Sequence, residues 1–589
     1  MEVEAPEVSE RVSVGDVLIG EVWLASGQSN MEYPLNADWR TDVSSDEGVP
    51  LNRRQEREFY EAAPAPEPFR FFTVARCASA ARESEAEGCW RPMTPECAGE
   101  CSAVAAWFGL RLRRRLNVPV GLIVSAWGGT IAEAWTSLAG LSADPATASL
   151  AASVFSSQRN RAAYASEGGV ELDLSRCPGV EPDGENAGFG DGWADADFDD
   201  SGWGFMDVPG SWIRQGIAGN GAVWIRRAVE LPADWVGCEL ALRTGGIDKH
   251  DISYFNGAEI GRTGSGLEIS HWNSPRDYSI PAKLVTSRRA VVAVRGFSFS
   301  HDGSFMGKWR LVRVADGAEL CIDGQWRVKT EYDRGLIRVK KDAAFYGSGN
   351  PNTPGILFDG MIRPLLPAAV RGVIWYQGES NACDCERYYA ILKRMIADWR
   401  YHLMAPELPF IQVQLAGYEM RRSFTPDADW AVIREAQRRL AAEDKFTFIA
   451  SAVDLGEVLD IHPQNKKDVG DRLARCALHH VYGDAAEVPG GPELLSARSV
   501  GGGRVELRFR YAEGLKLEPG REQSFYLSAN GADFVPADAA EVAGDTVTVF
   551  SAALPAVAEV RYAWAHFPSV TLYNGAGLPA SPFRVEVEP

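Results

Sequence analysis

Residues 20–35 read GEVWLASGQSNMEYPL, an apolar run through Leu24 that leads directly into a polar turn. The run has the composition of a buried β-strand, and the turn places Ser29 just beyond the end of that strand. A serine in this position exposes its hydroxyl at the carboxyl edge of an α/β sheet, where its backbone N–H also points at an incoming carbonyl oxygen. Serines in glycine-rich turns are more often turn residues or helix caps, so Ser29 alone is only a candidate nucleophile.

The flanking sequence alternates strand-like and helix-like runs. CSAVAAWFGLRLRRRL (101–116) has apolar residues at the three- and four-residue spacings of a helix, and VPVGLIVSAWGG (118–129) has the pattern of a second buried strand. The alternation resumes with AAVRGVIWYQGES (368–380) as a strand and CERYYAILKRMIADWRYHL (385–403) as an amphipathic helix. This rhythm predicts an α/β domain built on a largely parallel sheet.

Two other stretches have a β pattern. Between about residues 190 and 330, short runs rich in tryptophan, glycine and turn residues predict an all-β domain that interrupts the α/β domain. The chain of 589 residues is too long for one hydrophobic core, so several domains are expected. The predicted segments are the first part of the α/β domain at 1–165, the inserted β domain at 166–335, the second part at 336–487 and a C-terminal β-sandwich at 488–589.

Composition excludes several classes of protein. The net charge of −20 opposes binding to phosphate backbones, and no basic cluster is interleaved with aromatic residues, so we expect no nucleic-acid partner. No apolar run is long enough to span a bilayer, and the acidic start MEVEAPEVSE does not resemble a signal peptide. We therefore expect no membrane association and a cytoplasmic location unless a leader was removed. The ten cysteines lack zinc-ligand spacing, and we expect no metal or cofactor.

Two more strand-like runs end in residues suited to acyl transfer. Gly128 and Gly129 close the second strand, and glycines let a backbone amide approach a ligand closely enough to donate a hydrogen bond to an oxyanion. The run VIWYQGESNA (373–382) carries two amide side chains, Gln377 and Asn381, either of which is able to complete such an oxyanion hole. A simple glycine turn between a strand and a helix predicts the same sequence at the first position.

His462 is the candidate general base. It precedes a proline in the loop DLGEVLDIHPQNKKDVGDRLA (454–474), close to three carboxylates at Asp454, Glu457 and Asp460 that suit a base whose imidazolium must be stabilised. Such a histidine taken alone is more often a surface residue. Four strand-end clusters that each supply one part of an acyl-transfer site favour the functional interpretation.

Several motifs together resemble a known family. They are GQSNM (27–31), GLIVSAWGGTIAEAWTS (121–137), GMIRPLLPAAVRGVIWYQGESNA (360–382), DIHPQNKKDVGDRLA (460–474) and the terminal RYAWAHFPSVTLYNGAGLPASPFR (561–584). In this order they resemble the sialate O-acetylesterase group of the SGNH hydrolases. The resemblance implies a flavodoxin-like three-layer α/β/α domain, a Ser-His-Asp triad or a Ser-His dyad, and no metal.

The resemblance also implies roles for individual residues. Ser29 is expected to be the nucleophile, His462 the base and Gly129 an oxyanion donor beside the amide of Ser29. The oxyanion asparagine block of the superfamily is altered to YQGESN here, so Gln377 and Asn381 compete for that role. The residues of these motifs that are expected to contact the substrate are Gln28 and Glu379.

The acidic partner of the histidine is less clearly marked. The superfamily spaces its triad as Asp-x-x-His, whereas Leu459 occupies the position three before His462 and Asp460 lies two before it. Asp460 is the expected partner, Asp454 is the first alternative, and a dyad without a carboxylate is the second.

The inserted domain carries a resemblance of its own. DDSGWGFMDVPGSW (199–212), WIRRAVELP (224–232), GGIDKHDISYFNGAEIG (245–261) and YSIPAKLV (278–285) resemble the jelly-roll domain of family 2 glycosidases. We expect this domain to be structural rather than ligand-binding.

The family resemblance implies a serine esterase that removes O-acetyl groups from sugars, with sialate as the expected substrate. An acetylxylan or other polysaccharide acetylesterase has the same motifs and is the first alternative, and a sugar-binding protein with a vestigial site is the second. A glycosidase rests only on the jelly roll and needs paired carboxylates that no motif marks.

Overall fold

The structure is a computed structural model whose chain forms two compact units, Met1–Ala162 with Ala343–Pro589, and Ala163–Asp342. Side chains are not described at 2–5, 10–13 and 157–165. The described residues are 2–5, 10–13, 15–37, 50–63, 68–165, 179–213, 215–268, 271–272, 274–300, 303–337, 346–418, 424–458, 460–518 and 524–589.

Among the described residues, the first part of unit 1 contains six strands and five α-helices. The strands are β1 (Glu2–Ala5), β2 (Glu10–Ser13), β3 (Glu21–Gly27), β4 (Phe69–Thr73), β5 (Trp90–Pro92) and β6 (Val120–Ala126). The helices are α1 (Ser29–Glu32), α2 (Leu51–Ala62), α3 (Ala103–Leu116), α4 (Leu138–Ser142) and α5 (Ala148–Ala165).

Unit 2 is built almost entirely from antiparallel strands. Its elements are α6 (Ala187–Gly190), β7 (Gly204–Val208), β8 (Gly210–Ser211), β9 (Gly221–Glu230), β10 (Leu240–Thr244), β11 (His250–Phe255), β12 (Ala258–Thr263), β13 (Arg276–Ile280), β14 (Arg289–Ser298), β15 (Ser304–Phe305), β16 (Arg310–Arg313), β17 (Glu319–Cys321) and β18 (Gly324–Asp333). A six-stranded sheet has the order β12-β11-β14-β9-β18-β7, and a four-stranded sheet has the order β13-β10-β16-β17. Side chains from both sheets, among them Val294 and Leu242, form one buried core.

The chain then returns to unit 1 with alternating strands and helices. These elements are β19 (Gly372–Tyr376), α7 (Cys385–His402), β20 (Phe410–Gln414), α8 (Asp429–Glu443), β21 (Thr447–Ser451) and α9 (Lys466–His480). The central sheet has the order β21-β20-β19-β3-β6-β4-β5. Every pairing in it is parallel except that of β5, which lies antiparallel at the edge. The predicted α/β class is confirmed.

Helices cover both faces of this sheet. Trp23 of β3 is fully buried and packs edge-on against Phe108 of α3, with 5.0 Å between ring centroids. Ser26 lies three residues further along the strand and therefore points to the opposite face. Trp375 of β19 is in register with Ser26 and contacts Trp399 of α7 at 5.8 Å. Consequently α3 and α7 lie on opposite faces, and the central strands are mostly apolar because both of their faces are buried.

Contacts of strands β20 and β21 show on which face of the sheet helices α8 and α9 lie. The amide of Gln412 in β20 donates to the carbonyl of Gln437 in α8 at 2.8 Å, and Gln412 is in register with Ile449 of β21. Phe448, the neighbour of Ile449, points to the other face and stacks on His480 of α9 at 4.2 Å. Thus α8 lies with α7, and α9 lies with α3.

The C-terminal part of unit 1 consists of two four-stranded antiparallel sheets, with one further pair of short strands. Its strands are β22 (Glu493–Gly501), β23 (Arg504–Arg510), β24 (Lys516–Leu517), β25 (Phe525–Ser528), β26 (Phe534–Pro536), β27 (Ala539–Ala543), β28 (Thr546–Phe550), β29 (Glu559–Tyr562), β30 (Leu572–Tyr573) and β31 (Phe583–Glu586). The sheets have the orders β22-β23-β28-β27 and β26-β25-β29-β31. In β23 the buried Val505, Leu507 and Phe509 alternate with more exposed arginine and glutamate, as expected for a strand with one buried face.

Two properties of the described residues bear on expectations from the sequence. Among the helices in these parts of the chain, none combines the length and the apolar character needed to cross a membrane. The same parts contain no group of three or more histidine, cysteine or carboxylate side chains arranged to hold a metal ion.

Candidate active site

The candidate residues come together because parallel strands end at the same edge of a sheet. Ser29 begins α1 two residues after β3, and the Gly128–Gly129 turn follows β6. Gly27, the last residue of β3, has φ +139°, and a Cβ atom there would lie 2.1 Å from the carbonyl oxygen of Tyr376. Only glycine lets β3 pass this close to β19, and the serine turn is thereby held beside the end of β19.

Ser29 and His462 form a hydrogen-bonded pair. The distance between Oγ of Ser29 and Nε2 of His462 is 2.8 Å, although 433 residues separate the two in sequence. His462 lies in the loop between β21 and α9, and Asn465 ends this loop by accepting the N–H of Asp468 as the N-cap of α9. A serine hydroxyl bonded to an imidazole nitrogen has the geometry of a nucleophile beside its general base.

Asp460 lies on the other side of the imidazole. Its Oδ1 is 3.8 Å from Nδ1 of His462 and accepts the backbone N–H of the same residue at 2.8 Å. The side chain is almost fully buried, so its charge acts on the ring through little water. Asp454, the alternative partner, accepts two hydrogen bonds from Arg472 of α9, at 2.6 and 2.9 Å.

Two backbone amides near the serine are not committed to protein acceptors. Within the described ranges, neither the N–H of Ser29 nor that of Gly129 donates to a protein group. The first N–H groups of a helix lack intrahelical acceptors, which explains the case of Ser29. Gly129 has φ +74°, a conformation that favours glycine, and a Cβ atom there would meet nothing within 4 Å, so its surroundings are open.

The side-chain amides of Gln377 and Asn381 are both hydrogen-bonded to protein atoms. Gln377 is fully buried and donates to the carbonyl of Thr130 at 3.1 Å and to Oδ1 of Asn381 at 2.6 Å. Asn381 also accepts the N–H of Ala132 at 2.9 Å and donates to the Glu133 carboxylate at 2.8 Å. Both side chains therefore brace the segment that follows the Gly128–Gly129 turn.

Gln28 and Glu379 are likewise bonded within the protein. Oε1 of Gln28 accepts the N–H of Ser380 at 3.1 Å and ties the serine turn to the loop after β19. Oε1 of Glu379 accepts from the side-chain amide of Asn30 at 2.6 Å. Burial raises the pKa of Glu379, because few groups compensate its desolvation, and Oε2 has no hydrogen-bond partner among the described residues.

Asn30 and Lys466, which connect the loops around the Ser29–His462 pair, were assigned no role from the sequence. Asn30 donates to Glu379 and to the carbonyl of Ile461 at 2.9 Å, and its Oδ1 accepts from the ammonium of Lys466. Asn30 therefore connects the serine turn, the loop after β19 and the histidine loop. The position of Asn30 next to Ser29 in the GQSN turn was the only signal for it in the sequence.

Lys466 is the first residue of α9 and is almost fully buried. Burial lowers its pKa to about 8, against the opposing attraction of Asp460, Glu379 and Glu457. Its ammonium also lies over the ring of Tyr33 at 4.8 Å. The group supplies a buried positive charge close to the carboxylates behind His462.

Comparison with known proteins shows which families this chain is similar to. A family model described as carbohydrate esterase, sialic acid-specific acetylesterase, matches residues 350–479. Sialate O-acetylesterase of Mus musculus is 28% identical over 267 residues, covering 40% of this chain and 48% of that protein. The Homo sapiens protein of the same name is 27% identical over 262 residues, covering 40% and 49%. The chain thus spans about half the length of the curated relatives it matches.

A solved structure also shares the fold. A carbohydrate acetylesterase from Xanthomonas citri matches with a TM-score of 0.55 at 24% identity, covering 98% of this chain and 82% of that chain. The matched family model, described as that of a carbohydrate esterase, spans Gln377 and the histidine loop of the α/β part. The chain is thus similar to sialate O-acetylesterases, and the resemblance seen in its motifs is confirmed.

Proposed function

We propose that this protein is a carbohydrate esterase that hydrolyses O-acetyl esters on sugars, with sialate as the substrate, through an acyl-enzyme on Ser29. The observation that carries the proposal is the 2.8 Å contact between Oγ of Ser29 and Nε2 of His462 at the carboxyl edge of the parallel sheet. The amides of Ser29 and Gly129, which donate to no protein group among the described residues, supply the second requirement of acyl transfer, donors for an oxyanion.

In the first half of the reaction, Nε2 of His462 takes the proton of Ser29 as Oγ attacks the acetyl carbonyl carbon. The N–H groups of Ser29 and Gly129 hold the carbonyl oxygen as it becomes negative, and in enzymes of this kind one such donor contributes roughly 3 kcal/mol to transition-state stabilisation. The tetrahedral intermediate collapses, the bond to the sugar oxygen breaks, and His462 returns the proton to the leaving sugar hydroxyl.

In the second half, a water molecule takes the place of the sugar. His462 removes its proton as the water oxygen attacks the acetyl carbonyl of the acyl-enzyme, and the same amides hold the oxyanion again. Collapse of the second intermediate returns the proton to Ser29 and releases acetate. The carboxylate of Asp460 stabilises the imidazolium that forms in both halves.

The other candidate residues have supporting roles in this proposal. Gln377 and Asn381 fix the segment after the glycine turn, because their amide groups bond to Thr130, Ala132 and Glu133 rather than pointing away from protein atoms. Gln28 and Glu379, which were expected from the sequence to contact the substrate, have a different role in this proposal. Their polar groups bond to other loops and shape the wall of the site.

We also propose the finer architecture that the resemblance implies. The sheet with α3 and α9 on one face and α7 and α8 on the other is taken as the three-layer α/β/α domain of the SGNH hydrolases. The two sheets of unit 2 are taken as the inserted jelly roll, and the last ten strands of the chain are taken as a β-sandwich. No catalytic role is assigned to unit 2.

The test is acetate release by the wild type and by Ser29→Ala on 4-nitrophenyl acetate, O-acetylated sialic acid and acetylated xylan. The matched control is Ser142→Ala, which removes an exposed hydroxyl from the same unit. We expect turnover by the wild type and the control, none by Ser29→Ala, and preference for the acetylated sialic acid. Preference for acetylated xylan would mean that the substrate is a neutral polysaccharide and not sialate. A wild type that binds sugars but hydrolyses none of these esters would overturn the proposed esterase function.

A further inference from the structure

A carboxylate joins the nucleophile turn to the glycine turn. Glu32 lies three residues after Ser29 at the end of α1, and its Oε2 accepts the N–H of Gly128 at 2.8 Å. The N–H of Trp127 donates to the carbonyl of Gly27 at 3.1 Å. These two bonds attach the turn after β6 to the turn after β3 on either side of the serine.

The position of this carboxylate is unfavourable for catalysis unless its charge is balanced. A Cβ atom built on Gly128 would lie 3.1 Å from Oε2 of Glu32 and 3.2 Å from Cβ of Ser29, so the carboxylate lies close to the nucleophile. In the proposed mechanism a negative charge develops on the oxygen held beside Ser29, and a nearby unbalanced carboxylate would oppose it.

Arg76 supplies the balancing charge. Its Nε donates to Oε1 of Glu32 at 2.8 Å, and its Nη2 donates to the same oxygen. The guanidinium also lies over the ring of Trp127, with its central carbon 5.5 Å from the ring centroid. Arg76 therefore contacts both residues that connect the glycine turn to the serine turn, the carboxylate of Glu32 and the ring of Trp127.

We propose that Glu32 is a positioning residue which, with its charge balanced by Arg76, fixes the Gly128–Gly129 turn so that Gly129 presents its N–H to the oxyanion. This inference rests on the proposed esterase function. Because Glu32 engages the amide of Gly128, the amide of Gly129 is the one left for the oxyanion.

A purely structural role predicts a different pattern of effects. The Arg76 side chain is 55% exposed, and exposed ion pairs contribute little to stability. If the pair served only to hold the fold together, its loss would change unfolding slightly and leave the catalytic rate unaffected. If it positions the turn, kcat falls while substrate binding and stability change little, since the turn acts chiefly in the transition state.

The experiment compares wild type, Glu32→Ala, Glu32→Gln, Arg76→Met and the double variant Glu32→Gln/Arg76→Met on whichever acetyl ester the wild type cleaves. For Glu32→Ala we expect kcat to fall roughly 10- to 100-fold with KM nearly unchanged, less than the 10²- to 10³-fold loss of an oxyanion donor itself. Arg76→Met leaves an unbalanced carboxylate and loses kcat. The double variant is neutral, keeps an acceptor for Gly128, and recovers much of that loss.

A second measurement is inhibition by phenylboronic acid, which forms an anionic tetrahedral adduct on an active serine. Its inhibition constant should rise in parallel with the loss of kcat, as expected for a transition-state analogue. Equal kcat in wild type, Glu32→Ala and Arg76→Met would overturn the inference, as would a double variant no better than Arg76→Met. An inert wild type overturns the esterase function itself, so the two failures are distinct.

Discussion

Oδ1 of Asp460 lies 3.8 Å from Nδ1 of His462 and only 2.8 Å from the backbone nitrogen of the same residue. The carboxylate thus fixes the histidine through its main chain and faces the ring at a distance longer than a hydrogen bond. A displacement of about 1 Å during catalysis would bring the two into hydrogen-bond contact, and apo geometry is often looser than that of the working complex.

Asp460→Asn should therefore lower kcat by roughly 10²- to 10⁴-fold, because the imidazolium loses its nearest carboxylate while the asparagine oxygen still accepts the backbone N–H. The acidic limb of the pH–rate profile should move to lower pH, since a less stabilised imidazolium loses its proton more easily. The profile of kcat/KM against pH measures both effects.

The matched variant is Asp454→Asn, which disturbs the ion pair with Arg472 and leaves Asp460 in place. We expect a lower melting temperature and a pH–rate profile with unchanged limbs. If Asp454→Asn has the larger effect on kcat, the roles of the two aspartates are reversed. If neither changes the profile, the site is a Ser-His dyad.

Lys466 gives a prediction about stability and pH. Its pKa is lowered to about 8 in the folded protein, below its ordinary value near 10.5, so between these two values the unfolded chain binds more protons. The contribution of Lys466 to the free energy of unfolding therefore increases as pH rises from about 8 toward 10, by at most about 1.4 kcal/mol per pH unit.

The measurement is chemical unfolding of wild type and Lys466→Met at several pH values between 7 and 10. The stability of the wild type relative to the variant should increase across this range. Lys467→Met is the control, because this neighbouring amine is partly exposed and pairs with Glu58. A difference between wild type and Lys466→Met that stays constant with pH would show that Lys466 does not titrate in this window.

The bracing of the glycine turn can be tested at Asn381. Asn381→Leu removes three hydrogen bonds and leaves the N–H of Ala132 and the Glu133 carboxylate without this buried partner. At about 1 to 3 kcal/mol for each orphaned buried group, we expect a loss of roughly 2 to 5 kcal/mol in the free energy of unfolding.

Activity should fall with stability in Asn381→Leu, whereas a direct oxyanion donor would lose kcat without loss of stability. Thermal unfolding and kcat measured on the same preparation separate the two roles. A stable Asn381→Leu with kcat lowered 10²-fold or more would assign Asn381 to the oxyanion after all.

The roles of Ser29 and His462 as nucleophile and base could be predicted from the sequence, because Ser29 follows a strand with a clear apolar pattern and His462 lies in a loop rich in carboxylates. Apolar runs mark β3, β6 and β19 as buried strands, and parallel strands bring their carboxyl ends to one edge. The motif resemblance then selected Ser29 and His462 from the polar residues at these ends. No further observation was needed to predict that these two side chains meet.

The electrostatic supports could not be predicted in the same way. A lysine at the start of a helix is ordinarily solvated, and nothing in KKDVGDRLA distinguishes the buried Lys466 from the partly exposed Lys467. Glu32 and Arg76 are 44 residues apart, and no periodic pattern links them. The partners of Gln377 depend on how the segment after β6 folds back on the sheet, which a one-dimensional pattern does not contain.

A buried arginine in α8 leads to the last prediction. Arg434 is fully buried and bonds only to backbone carbonyls among the residues described, at Leu415, Ala416, Ala565 and His566, with distances between 2.7 and 2.9 Å. Burial lowers its pKa to about 9. These contacts attach the segment after β29 to the loop after β20, and so join the C-terminal sheets to the α/β part of unit 1.

Arg434→Met should therefore destabilise the attachment of the C-terminal sheets by about 2 to 5 kcal/mol, because several buried carbonyls lose their donor and methionine offers none. We expect thermal unfolding to separate into two transitions and limited proteolysis to cut the chain between α9 and β22, where the C-terminal sheets begin, sooner than in the wild type. Arg439→Met on the exposed side of the same helix is the control. A single transition at the wild-type temperature in Arg434→Met would mean that the apolar contacts of Trp564 and Ala428, not the arginine, hold the sheets in place.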